Sequence, residues 1–178
     1  MAQQPLILTL RLDSTSTNLL TSLRTKYFLK HINFLGSHVT IFHALPSSDA
    51  NNALYEELLT NLTARERPFT VGIKNPFILG KSGGGVALNI ASFKLKRLHE
   101  GLVGELEREG VQLTDQDRAG LRPHVTVQNK VSEEEAKKTL AELEGFKERA
   151  GKGEALALWR YEVSGRWTFL REFVFGFG

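Results

Sequence analysis

Cysteine is absent from this 178-residue chain. Disulfides and thiolate metal sites are thereby excluded, and the composition suits a reducing compartment. No apolar run approaches the roughly 20 residues of a membrane-spanning helix. The opening stretch MAQQPLILTLRLD lacks the basic n-region and small-residue cleavage site of a secretory signal, so an intracellular, cytoplasmic protein is expected. Net charge is small as well: 23 Lys and Arg against 20 Asp and Glu leave +3, with a pI near 9.2. This mild basicity favours an anionic partner only weakly and is far from the profile of an architectural DNA binder. The five histidines show neither i, i+4 helical ligand spacing nor a carboxylate-rich cluster, so no metal and no cofactor are expected.

The remaining composition, 41% hydrophobic and 24% charged, is that of a globular protein. One domain spanning residues 1–178, large enough to bury a substantial core, is the simplest organisation. Residues 5–12 alternate like a strand, and Asp13 then caps a helix carrying Leu19, Leu20, Leu23 and Tyr27. A strand near 36–45 precedes a helix capped by Ser47 or Ser48, with Leu54, Leu58 and Leu62 on one face and Pro68 at its end. FTVGIKNPFIL and GVALNIA read as strands joined through GKSGGG, a hairpin turn. The last pattern fails as a phosphate loop because Asn75 stands where that motif requires glycine. Leu95, Leu98, Leu102 and Leu106 outline a helix ending at Gly110. TDQDRAG reads as a loop, with Asp115 and Asp117 as turn residues. Ser132 and Glu135 form a capping box for a helix whose basic end holds Lys147 and Arg149. Two final strands turn at Gly165.

Two strands carry the same triplet, His38-Val39-Thr40 and His124-Val125-Thr126. On a strand, residues two apart share a face, so each histidine points with its threonine. Each pair presents a proton-transfer group and a hydroxyl donor. Two such pairs facing one another suit a phosphodiester: one neutral imidazole accepts a proton while the other, protonated, gives one. The threonine hydroxyls can donate to non-bridging oxygens where charge builds. Phe42 and Gln128 have the parity of the histidines and are candidate pocket residues. His43 has the opposite parity and is expected to pack or bond locally. His31 and His99 are read as structural, His99 among surface charges. Trp159, Tyr161 and Trp167 fit core packing, with a nucleobase platform as the alternative. FKLKRLHE (93–100) is a basic helix start, read as a solvated face, with an RNA-backbone contact as the alternative.

HVTIFHAL and PHVTVQNK resemble the two His-hydrophobic-Thr-hydrophobic motifs of the 2H phosphoesterase superfamily, which includes the 2′-5′ RNA ligase-like proteins and cyclic nucleotide phosphodiesterases. The resemblance covers nearly the whole length. It implies an α+β, bilobal fold, with two antiparallel sheets around a central cleft and flanking helices. It further implies His38 and His124 as the catalytic pair and Thr40 and Thr126 as phosphate binders. An aromatic often stands in the family at the place of His43, and an arginine at the place of Asn129. Lys130, beside that position, joins the candidate pocket residues. The expected activity is metal-independent cleavage of 2′,3′-cyclic phosphates or 2′-5′ linkages, with reversible ligation as an extension. The expected partner is a nucleotide or RNA-end phosphodiester, bound by a monomer away from membranes. The alternatives are a non-catalytic RNA-end or nucleotide-binding module that retains the cleft, and a purely structural interaction protein.

Overall fold

The computed structural model describes residues 4–80 and 84–176. Lys81, Ser82 and Gly83 of the GKSGGG turn lie outside the described residues. The element order is β1 (Leu6–Leu12), α1 (Ser14–Tyr27), a 3-10 turn (Lys30–Ile32), β2 (Val39–Leu45), α2 (Asp49–Arg65), β3 (Phe69–Ile78), β4 (Gly85–Ala91), α3 (Phe93–Arg108), α4 (Asp115–Arg118), β5 (His124–Asn129), α5 (Glu133–Glu142), β6 (Arg149–Tyr161) and β7 (Trp167–Val174).

The caps explain the helix starts. Asp13, Ser48 and Ser92 each accept a hydrogen bond from a first-turn backbone N–H, and Ser132 and Glu135 complete a reciprocal capping box. Three expectations differ. Helix α5 ends at Glu142 with no basic residue in its last turn, and Arg149 instead opens β6. The buried face of α2 is Tyr55, Leu59 and Thr63, with Leu54, Leu58 and Leu62 at its half-buried flank. The TDQDRAG segment contains the single-turn helix α4, capped by Thr114.

All strand pairings are antiparallel, in the order β2-β1-β6-β3-β4-β5 with β7 alongside β6. The two expected sheets are therefore the halves of one hydrogen-bonded array, and β6 joins them. Residues 149–153 of β6 pair with β3, whereas residues 153–160 pair with β1 and residues 155–161 with β7. The array bends enough that its two edge strands, β2 and β5, contact each other. Leu8, Leu10, Leu20, Val39, Ile41, Leu88, Val125, Val127 and Leu156 belong to one buried cluster that extends through both halves.

The helices cross over between the halves. Helix α1, which follows β1, packs on β5, and α4, which precedes β5, packs on β2. Each crossing helix puts a charged side chain on the backbone of the opposite edge strand. Arg24 of α1 donates from Nη1 to the Thr126 carbonyl at 2.8 Å. Asp117 of α4 accepts from the His43 and Ala44 N–H groups at 2.6 and 2.9 Å. Polar backbone at two sheet edges is thus covered without adding a strand.

Candidate active site

Both motif strands deviate from regular pairing just after their threonine. Leu8 and Thr9, consecutive on β1, face Phe42 and Thr40, two apart on β2. Val86 and Ala87 on β4 likewise face Gln128 and Thr126 on β5. Each motif strand therefore holds an extra residue just after its threonine, Ile41 or Val127, which inverts the parity of the residues that follow, and β2 shifts register once more before Leu45. Phe42 is fully buried and stacks near His99, with ring centroids 4.9 Å apart. Gln128 is 6% exposed and donates from Nε2 to Thr139 Oγ1 of α5 at 2.9 Å. Neither residue lines the cleft, contrary to the alternation expected of a flat strand. The same inversion brings His43 out beside Thr40, in a recess shared with Tyr161 and Trp167. It also brings Asn129 and Lys130 to the wall of the cavity that holds His38 and Thr126.

Glycine permits the second bulge. A Cβ on Gly85 would collide with the Gln128 carbonyl oxygen, so only glycine lets β4 approach the kinked β5 backbone. Lys130, next along, has φ = 57°, a left-handed conformation that a lysine adopts at some energetic cost.

The motif histidines are held alike. Nδ1 of His38 donates to the Gly36 carbonyl at 3.0 Å, and Nδ1 of His124 donates to the Arg122 carbonyl at 2.8 Å. A carbonyl can only accept, so in each neutral ring Nε2 carries the lone pair. Aromatic rings flank both: Trp167 lies 4.7 Å from His38, and Phe77 meets His124 edge-on at 6.0 Å. His38 is pushed down to about 4, first by desolvation and next by the charge of Arg24, with a smaller contribution from His124. The ring still keeps some solvent contact, and the downward direction follows from both causes.

Arg24 was not among the sequence-derived candidates, although it lies one turn beyond Leu20 in the apolar stripe of α1. It is 4% exposed, and desolvation lowers it to about 10, leaving it a cation at neutral pH. Its guanidinium bonds to the Thr126 carbonyl and, from Nη2, to Asn33 Oδ1 at 3.1 Å. Phe28 lies beneath it, 4.0 Å from Cζ to the ring centroid. Among the described residues no carboxylate pairs with it, and Nε has no partner. It forms one wall of a cavity of about 320 Å³ shared with His38, Thr126, Lys130 and Trp167, and no carboxylate is among the lining residues. A buried cation without a counterion, beside a second cation and a hydroxyl, is a site for an anion.

Asp117, expected as a turn residue, is instead buried in the short helix α4, where Thr114 caps it and Thr114-x-x-Asp117 has the form of a helix-start signature. It is 1% exposed. Burial by itself would raise its pKa, but hydrogen bonds from the His43 side chain and the His43 and Ala44 backbone hold it below the usual carboxylate range. His99 is not a surface residue: it is 2% exposed and donates from Nε2 to the Asp117 carbonyl at 3.0 Å. Desolvation lowers its pKa. These residues brace β2 from behind. The groove between α2 and α3, about 500 Å³, contains neither motif histidine. Among the described residues no three metal-ligating side chains of His, Cys, Asp or Glu cluster, and no helix is long and apolar enough to cross a membrane.

Each bulged edge strand carries one His-Thr unit: His38 and Thr126 line the cavity beside Arg24, Thr40 lines the recess that shares Tyr161 and Trp167 with it, and His124 is not among the residues lining either. The chain aligns over 96% of its length with TT0787 of Thermus thermophilus, which it covers to 97%, at 18% identity and a TM-score of 0.69. E. coli LigT, solved with 3′-AMP, aligns over 97% of this chain and 98% of its own at 17% identity and a TM-score of 0.65. A structure described as a phosphoesterase gives the same score and coverage at 18% identity. These likenesses establish the fold. No match is found among curated protein sequences. A sequence model of the 2′-5′ RNA ligase superfamily matches residues 12–165. The chain belongs to that superfamily and is a 2H-type phosphoesterase.

Proposed function

We propose that this protein cleaves RNA-type phosphodiesters, either 2′,3′-cyclic phosphates or 2′-5′ linkages, with His38 as general base and His124 as general acid. The setting of His38 carries the assignment: its Nδ1 is committed to the Gly36 carbonyl, which leaves Nε2 as the basic nitrogen, and desolvation, then the charge of Arg24, favours the neutral ring. His124 then supplies the proton. The nucleotide held by E. coli LigT supports a nucleotide-type ligand for the shared fold.

With a cyclic phosphate, His38 Nε2 takes a proton from water as the water oxygen bonds to phosphorus. The bond from phosphorus to one ribose oxygen breaks, and that oxygen takes the proton held on His124 Nε2. With a 2′-5′ linkage, His38 activates the neighbouring ribose hydroxyl instead of water. Thr40 and Thr126 donate to the non-bridging oxygens, and Arg24 and Lys130 offset their charge, with no reorganisation required of the buried guanidinium. An anion in the cavity also counters the effect of Arg24 on His38, raising its proton affinity where a base is needed. Trp167 and Tyr161 border the site and offer faces on which a base can stack. The same transition state serves ligation in reverse.

The test is turnover of 2′,3′-cyclic nucleotides and 2′-5′ dinucleotides in excess EDTA by wild type, His38→Ala and His124→Ala. Activity that resists EDTA and is lost in both variants is expected. Nucleotide binding without turnover would instead make this a binding module.

A further inference from the structure

We infer that a second groove, opening beside His124 at Asn89 and Pro123, binds the continuing strand of a single-stranded RNA, so that the natural substrate is an RNA end and not a mononucleotide. The inference rests on the phosphodiester function proposed above. Asn89 sits directly opposite His124 in the β4–β5 ladder and so shares its face. Asn75, on β3, accepts from the Asn89 amide nitrogen at 3.3 Å through its backbone carbonyl and at 3.4 Å through its side-chain oxygen. From these two amides a groove of about 510 Å³ runs outward, walled by Lys74, Phe93, Lys96 and Arg122.

Three features suit a single strand of nucleic acid. The lining holds three cations and no carboxylate. Among the described residues, Lys96 and Arg122 have no ion-pair partner, while Lys74 pairs with Glu148 at 2.8 Å. Phe93 is 80% exposed and has no ring partner among the described residues. An exposed aromatic amid unpaired cations offers the stacking face and backbone charge that bind single strands without strict sequence choice. The side-chain amides of Asn75 and Asn89 can read base edges or sugar hydroxyls. Local stability does not explain the arrangement. Lys94, Lys96 and Arg97 crowd the first turn of α3, which has no acidic residue, and cations there oppose the helix dipole. Lys94 and Arg97 are offset by Glu66 and Glu100, whereas Lys96 faces the groove.

Two readouts on the intact protein test this. The first is fluorescence anisotropy of labelled RNA oligomers of three and ten nucleotides ending in an unreactive 3′-phosphate. The second is kcat/KM for a 2′,3′-cyclic mononucleotide and for a decamer ending in the same group. Wild type should bind the decamer at least tenfold tighter than the trimer. Phe93→Ala should lose about tenfold of decamer affinity, the loss of one stacked base. The Lys96→Ala/Arg122→Ala double variant should flatten the dependence of log affinity on log salt by roughly 1.4, two phosphate contacts at about 0.7 each. Mononucleotide turnover should be unchanged in Phe93→Ala and in the single variant Lys96→Ala, whose side chains hold neither motif histidine; the double variant is read by binding alone, because the Arg122 carbonyl holds His124. Equal affinity for trimer and decamer would overturn the inference. So would decamer binding indifferent to Phe93 and to the two cations. If no cyclic phosphate is turned over but decamer binding still depends on Phe93, the catalytic proposal fails and the groove stands.

Discussion

The low proton affinity of His38 makes the acid limb of the pH–rate profile the most informative measurement. A cyclic phosphodiester stays a monoanion across the working range, so the acid limb of kcat/KM reports groups on the free enzyme. The base must be neutral to act. With His38 pushed down to about 4, about 90% of it is neutral at pH 5; an ordinary imidazole near 6.5 would be only about 3% neutral there. Wild type should therefore keep nearly all its kcat/KM at pH 5. Desolvation is the leading cause of the shift, and Trp167, 4.7 Å from the imidazole, excludes water from one side. Trp167→Ala should move the limb upward. A return to the ordinary value would cost about 30-fold at pH 5 relative to the variant's own plateau, and recovery of half the shift about 3-fold. Because the side chain lies on the cleft wall, half-buried, the fold should survive its truncation. A wild-type limb near 6.5, or a limb that Trp167→Ala leaves in place, would refute His38 as the desolvated base.

Arg24→Gln should lower kcat/KM by roughly 100- to 1000-fold and abolish inorganic phosphate binding by calorimetry, with partial recovery in Arg24→Lys. Asp117→Ala strands the His43 and Ala44 N–H groups of β2 and should destabilise the protein by roughly 1–3 kcal/mol in urea unfolding. The native carboxyl of Asp117 lies below its unfolded value, so its contribution is present above that unfolded value and fades as pH falls through the native one. The alanine variant should therefore lose less stability than wild type on acidification. Gly85→Ala should push the end of β5 outward, raising KM through misplaced Lys130 and lowering stability by about 1–3 kcal/mol, while the acid limb set at His38 stays unchanged.

Local chemistry was legible in the sequence where it is self-contained. Asp13, Ser48 and Ser132 act within one turn of themselves, and the His-x-Thr triplets obey strand parity up to their threonines. Beyond that point the alternation breaks, because Ile41 and Val127 are extra residues only relative to β1 and β4. Nothing within HVTIFHAL or HVTVQNK marks them. Phe42 and Gln128 were consequently expected at the pocket, where Lys130 and Asn129 stand instead. Arg24 was hidden for a related reason: its partner, the Thr126 carbonyl, is 102 residues away, and a cation in an apolar stripe gains meaning only when the facing strand is known. Asp117 looked like a turn residue because its bonding partners belong to β2.

The shared strand β6 has a consequence for how the chain must be made. Leu6 pairs with Arg160 and Phe69 with Gly153, so strands synthesised early wait for a segment synthesised late. Neither half of the array can close its hydrogen bonds until β6 has left the ribosome, and closing such long loops favours slow folding. During that interval β1 and β3 each present an unpaired edge, the condition under which nascent chains associate with one another or with chaperones. A protein stopped before residue 149 would therefore yield two incomplete halves and no cleft, which makes the interval before β6 emerges the vulnerable period in its biogenesis.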